Sequence, residues 1–145
     1  MTTSSLLPIV SRAAEAARDA FQARLNKAAA WVEWIQAGAP STKGCVVCES
    51  QAPTELHHVA GKFNADLVVP VCVRCHGKLT RRQERWDPRW ELPDNPPVLR
   101  EALVLRGLVD LCEERGRFDS AYHVYAATLA SRYAFLARKT VGVGK

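Results

Sequence analysis

Two Cys-x-x-Cys pairs, Cys45/Cys48 and Cys72/Cys75, stand 23 residues apart in a chain of 145. No other feature limits the fold as strongly. One Cys-x-x-Cys turn sets two thiolates at the spacing a single zinc ion needs, and two such turns complete a tetrahedral four-sulfur site. The residues between the pairs must then form a unit closed at its base by Zn²⁺, the expected structural cofactor. A disulfide framework is a poor account, because the fifth cysteine, Cys112, lies alone on an apolar helical face. It reads as a small buried hydrophobe. A redox Cys-x-x-Cys would need a βαβ setting that this sequence lacks.

The cysteines fall at the joints of a short strand-loop-strand-helix pattern. Thr54–Val59 and the β-branched run Leu67–Val73 read as strands, with Pro70 limiting the pairing of the second. Arg74 to about Trp86 reads as a helix stopped by Asp87-Pro88. Upstream, Val10, Ala14, Ala17, Phe21, Leu25, Ala28, Val32 and Ile35 recur at helical steps. They predict one long helix, capped by Ser4 or Ser5 and ended by Gly38 and Pro40. Its small residues Ala13, Ala17, Ala20 and Ala28 would also allow close approach of a second helix, as in a homodimer. Downstream, a proline-punctuated linker precedes a helix from Pro96 to Arg115, with Asn95 as its cap. Asp119 or Ser120 caps a last helix to about Lys139, leaving a loose tail. The predicted organisation is a single α+β domain over 1–145. A long N-terminal helix (6–38) and a C-terminal helical hairpin (95–139) flank the cysteine module (45–87).

Three of the four histidines share the module: His57 and His58 are adjacent, and His76 follows the last cysteine. One arrangement uses all three. His57 and His76 hold a second, divalent metal, and His58 remains free as a general base. An imidazole titrates near neutrality, which suits proton abstraction from water. Neighbours in a regular strand point to opposite faces. Both histidines therefore reach one cleft only if the strand breaks into its loop, which the nearby Gly61 allows. Glu55 shares the strand face of His57. It could orient His57, hydrogen-bond elsewhere or face solvent.

On these residues the segment from Cys45 to about Thr80 resembles the ββα-metal module of HNH endonucleases, in the subgroup whose zinc is held by four cysteines. The matching elements are the first Cys-x-x-Cys, "ELHHVAG" and "VPVCVRCHGKLT", about a quarter of the chain. The resemblance implies a DNA endonuclease, a phosphodiester hydrolase leaving 5′-phosphate and 3′-hydroxyl ends. It implies that His57 and His76 bind Mg²⁺ or another divalent cation and that His58 is the catalytic base. Thr80 could join only as a weak or water-mediated ligand. The family's middle asparagine braces the loop carrying the base. The matching position here, five residues before Cys72, is Leu67, with Asn64 and Asp66 close by as substitutes.

The net charge of +5 and pI near 9.1 fit a polyanionic partner when the charge is clustered. It is clustered here: Lys78, Arg81, Arg82, Arg85 and Arg89 follow His76, interleaved with Trp86 and Trp90. Lys78, Arg81, Arg82, Arg85 and the loop residue Lys62 are the expected phosphate contacts. The tryptophans fit better beneath the helical lobe. No stretch is long and apolar enough for a membrane span, and no secretory signal is read at the start. Cysteines spaced as metal ligands rather than as disulfides make a reducing cytoplasm the expected location. The rival expectation is a zinc-containing DNA-binding or adaptor module without cleavage. Its flanking helices would bind a protein partner within a larger nucleic-acid-processing assembly.

Overall fold

The computed structural model describes residues 3–141. Helix α1 spans Thr3–Gln36, strand β1 Thr54–His58, strand β2 Val68–Cys72 and helix α2 Val73–Gln83. A short 3-10 turn at Pro88–Glu91 precedes helices α3, Pro97–Arg115, and α4, Ala121–Val141. The class is α+β, with four α-helices and one two-stranded antiparallel sheet among the described residues. No helix of these residues is long and apolar enough to cross a membrane.

At about 1.5 Å per residue, α1 runs for about 51 Å. Only its last third enters the core, through Ala28, Val32 and Ile35. Val10, Ala14, Ala17 and Phe21, expected on the core face, are exposed. They keep helical periodicity, but no other element covers them. Ala28, expected on a face open to a second helix, is buried within this chain instead. The helix covers 3–36 rather than 6–38. Beyond it Gly38 adopts φ +87°, and the Gly38 and Ala39 amides donate to Ile35 O and Trp34 O at 2.8 and 2.9 Å. Carbonyls left open at the helix end are thereby satisfied.

One apolar core joins the cysteine module to the helices. It runs from Val32 and Ile35 through Val46 and Val47 to Val69 and Val71. It continues through Leu79 to Leu108, Leu111 and Cys112 of α3 and Leu129 of α4. Cys112 is fully buried, and burial pushes its thiol up to about 12. A smaller cluster unites Trp86, Leu99 and Leu103, with Trp90 against it. Both tryptophans thus pack beneath α3. The Trp86 Nε1–H donates to Asp110 Oδ2 at 2.8 Å.

Two expected features of the C-terminal half are corrected. Asn95 does not cap α3: the cap is Pro96, without a side-chain hydrogen bond. Asn95 is buried and its Nδ2 donates to Arg89 O at 2.7 Å and Asn64 Oδ1 at 2.8 Å. The buried carbonyl and amide need partners more than the helix end does. Asp119 does act as the expected cap, accepting from Ala121 N at 3.0 Å. The chain after Lys139 is not yet loose: Thr140 is buried and its Oγ1 donates to Ala137 O at 2.6 Å. The rest of the expected tail, 142–145, lies outside the described residues.

Helix α3 meets the module at Gly107. A Cβ there would sit 1.8 Å from Val59 O, so only glycine lets the helix backbone come this close. Gly77 in α2 is the contrast, since its Cβ would meet only Arg81 Nη1 at 3.7 Å. Gly107→Ala is expected to destabilise by about 1–3 kcal/mol or more, as overpacked cores do. Gly77→Ala should gain roughly 0.5–1 kcal/mol from helix entropy. Urea denaturation of both variants checks the contrast, and equal effects would contradict the close approach.

Candidate metal centre and histidine site

The first Cys-x-x-Cys pair sits on a tight turn before β1. Glu49 N donates to Cys45 O at 2.9 Å, and Cys45 N donates to Ser50 O at 3.0 Å. Glu49 takes φ +62° to close the turn. Val46 N donates to Pro70 O at 3.0 Å, which docks the turn on β2. The second pair straddles the junction of β2 and α2. Cys72 is the helix cap, and its Sγ accepts from Cys75 N at 3.5 Å. The four sulfurs lie within 4.8 Å of one another. Cys48 Sγ and Cys72 Sγ are 3.7 Å apart. A tetrahedral site with Zn–S near 2.3 Å has S···S edges of about 3.8 Å. All five cysteines are free thiols.

The charge balance points the same way. Burial and the neighbouring sulfurs push the Cys75 thiol far up, and burial raises Cys48. Burial also works against the Cys72 thiolate. Hydrogen bonds from Cys75 and the adjacent sulfurs outweigh it and bring Cys72 down to about 7. Protein groups alone do not favour the thiolates of Cys48 and Cys75, whereas a thiophilic divalent cation does. The donor set therefore fits Zn²⁺. Among the described residues no other group of three or more His, Cys, Asp or Glu donors is as compact.

Arg115 fastens this centre to the helical lobe, a role that sequence reasoning missed. Its Nη1 donates to Val47 O at 2.8 Å and its Nη2 pairs with Glu49 at 2.7 Å. The guanidinium lies over the rings of Trp31 and Tyr122, 5.7 and 5.4 Å from their centroids.

The histidine doublet divides by burial. The antiparallel register pairs Glu55 with Val71, His57 with Val69 and His58 with Val68. Val69 and Val71 are fully buried, so Glu55 and His57 share the inner face, toward α2. His57 is 2% exposed. Its ring meets that of His76 edge to face, with centroids 5.5 Å apart at 73°. His58 is exposed and is the last residue of β1. The break expected to bring the doublet to one side does not fall between the two residues, because β1 continues through His58. Glu55 does not orient His57. Its Oε2 lies 2.6 Å from His76 Nδ1, because the strand and the helix start place those two groups side by side.

The segment after His58 is held on all sides. Its carbonyl accepts from Gln83 Nε2 at 2.8 Å and from Gly61 N at 3.1 Å. Val59 O faces Gly107. Ala60 O accepts from Asn64 Nδ2 at 2.8 Å, and the same nitrogen reaches Trp90 O at 2.9 Å. Gly61 has φ +82°, and a Cβ there would strike the Trp90 ring at 2.7 Å. Asn64 is thus a buried brace of this loop, while Asp66 is exposed. Leu67, in the position counted for the brace, is only half-buried against the core and gives its carbonyl to Val59 N at 3.0 Å. Gln83 escaped sequence reasoning, and so did the bracing roles of Trp90 and Asn95. Gly107 was findable, since a glycine inside a helix marks close packing.

The basic residues separate as well. Arg82 is not a free phosphate contact. Its Nε and Nη2 reach Glu114 at 2.8 and 2.7 Å, and Nη1 pairs with Glu113, joining α2 to α3. Lys78, Arg81 and Arg85 carry no ion pair among the described residues. With Arg82 and Glu114 they line a depression of about 260 Å³. Lys62 is exposed over the Phe63 ring.

Comparison with protein-family models, curated proteins and solved structures finds no match to this chain.

Purified protein is expected to carry one zinc per chain by elemental analysis. Cys72→Ser should lose that metal and its cooperative thermal transition, since site formation and folding are one process. Full zinc retention would contradict the site. A second expectation concerns acid. Burial first, then the neighbouring His76 and His58 charges, lowers His57 from 6.5 to about 4. The unfolded chain thus takes up this proton first, and the stabilising term present above pH 6.5 is lost as pH falls toward 4. Asp110 opposes it, because burial raises its carboxyl to about 6 and its term weakens as pH rises. The two largely cancel in the wild type. From pH 7 to 5, His57→Gln should therefore gain about 2 kcal/mol relative to wild type in urea denaturation.

Proposed function

We propose that the chain is a metal-dependent endonuclease of the HNH type, hydrolysing DNA phosphodiester bonds on a ββα-metal module. The observation that carries this reading is the apposition of His57 and His76. One is on a strand and the other on the next helix, both beside a four-cysteine cluster and a braced histidine loop. In this reading His57 and His76 would hold Mg²⁺ or a similar divalent ion, which would supply charge stabilisation for phosphodiester hydrolysis. His58 removes a proton from water through its imidazole, and the water oxygen attacks phosphorus as the 3′ oxygen leaves. Asn64, Gln83 and Gly107 keep the His58 backbone from drifting, since small misplacements of a catalytic group cost rate. Lys78, Arg81 and Arg85 neutralise phosphates along the duplex, giving salt-sensitive affinity. Arg82 acts only by anchoring α2.

A second reading has its own support. His57 is buried and His58 exposed, with β1 unbroken between them, which suits a zinc-containing DNA-binding or adaptor module that does not cut.

Plasmid DNA incubated with the protein and Mg²⁺, Mn²⁺ or Ni²⁺ separates the two. The nuclease reading expects nicking that needs the metal and falls about 10²–10⁴-fold in His58→Ala, as for loss of a general base. Salt-sensitive binding without cleavage in any metal would overturn it and support the second reading.

A further inference from the structure

We infer that Glu55 is a positioning residue for His76. It holds the His76 proton on Nδ1 so that the Nε2 lone pair is the one presented to a divalent cation. The inference deepens the nuclease reading and rests on it for the identity of the ligand.

The hydrogen bond itself sets the tautomer. Glu55 Oε2 lies 2.6 Å from His76 Nδ1. A carboxylate can only accept, so a neutral His76 in this contact must carry its proton on Nδ1. The other ring nitrogen is then unprotonated and available. Without such a partner a neutral imidazole more often keeps its proton on Nε2, the nitrogen a metal would need. A carboxylate on the far nitrogen is the usual means of orienting a metal-binding histidine and raising its basicity.

The pair is also placed for this work. Glu55 and His57 share the inner strand face, and His76 reaches that face from α2. The strand thus offers a histidine and, two residues earlier, the carboxylate that aligns its partner. As a stabilising ion pair the contact is minor, because Glu55 is half exposed and exposed pairs contribute little. What it changes is direction: the bond limits ring rotation about His76 and removes one nitrogen from competition. Glu55 therefore acts through His76 and needs no contact with substrate.

The test uses the full zinc-loaded chain, with imidazole ¹⁵N spectra recorded at pH 8 and Mn²⁺ binding followed by electron paramagnetic resonance. Mn²⁺ suits sites completed by oxygen ligands and competes poorly for thiolates. Wild type should show His76 protonated on Nδ1. Glu55→Ala should move the proton to Nε2 and weaken Mn²⁺ binding about 10–100-fold. Glu55→Gln should keep the Nδ1 proton, since its carbonyl still accepts, and recover part of the affinity. A wild-type His76 protonated on Nε2, a tautomer unchanged in Glu55→Ala, or measurable Mn²⁺ binding that is equally tight in wild type and Glu55→Ala overturns the inference. If the tautomer switches but wild type binds no Mn²⁺, the nuclease reading fails and the Glu55 assignment stands.

Discussion

Four thiols gathered within 4.8 Å of one another are the constraint on which the rest of this molecule depends. Burial resists ionisation of Cys48 and Cys75, and a cation at the centre of the four sulfurs would relieve that resistance. The two strands beside them have five residues each. A sheet of that size does not hold itself in water. Closing the chain between Cys48 and Cys72 fixes where β2 ends and α2 begins, because Cys72 is both ligand and helix cap. The same closure brings Val46 and Val47 into the core shared with α3 and α4. Arg115 then fastens the cysteine turn to the helical lobe through a carbonyl and two aromatic rings.

On this staple the fold builds a second rigid element, the turn after the histidine doublet. Three successive carbonyls, of His58, Val59 and Ala60, meet Gln83 of α2, Gly107 of α3 and the Asn64 amide. Asn95 in turn holds Asn64. Each partner comes from a different part of the chain, so the turn cannot shift without disturbing several elements together. Buried polar groups satisfied in this way specify one local conformation. The proposed chemistry needs that kind of support, since a reacting group must be placed by something stiffer than itself.

How far the sequence could be read depended on the range of the interactions involved. The strand and helix bounds came within a few residues because β-branched content, helical periodicity and the Asp87-Pro88 break are local signals. The brace shows the opposite case. Counting back from Cys72 leads to Leu67, but counting assumes a loop of standard path. The loop curls so that Asn64 returns to Ala60 and Trp90. Arg81, Arg82 and Arg85 are equivalent as a string of cations. Only the position of Glu113 and Glu114 on α3 removes Arg82 from the free set. Helix α1 has an unbroken periodicity, yet periodicity cannot say how much of a face another element will cover.

By itself, the sequence determined the four-cysteine centre, the α+β class, the order of elements and the gathering of three histidines in one short module. These follow from ligand chemistry and from preferences that act over a few residues. The tertiary structure decided which histidine of the doublet is buried and that Glu55 meets His76 rather than His57. It also decided that Asn64 is the loop's brace and that Arg82 is an anchor. Those outcomes depend on the antiparallel register and on how closely α3 approaches at Gly107. Both are set by packing between residues far apart in the chain.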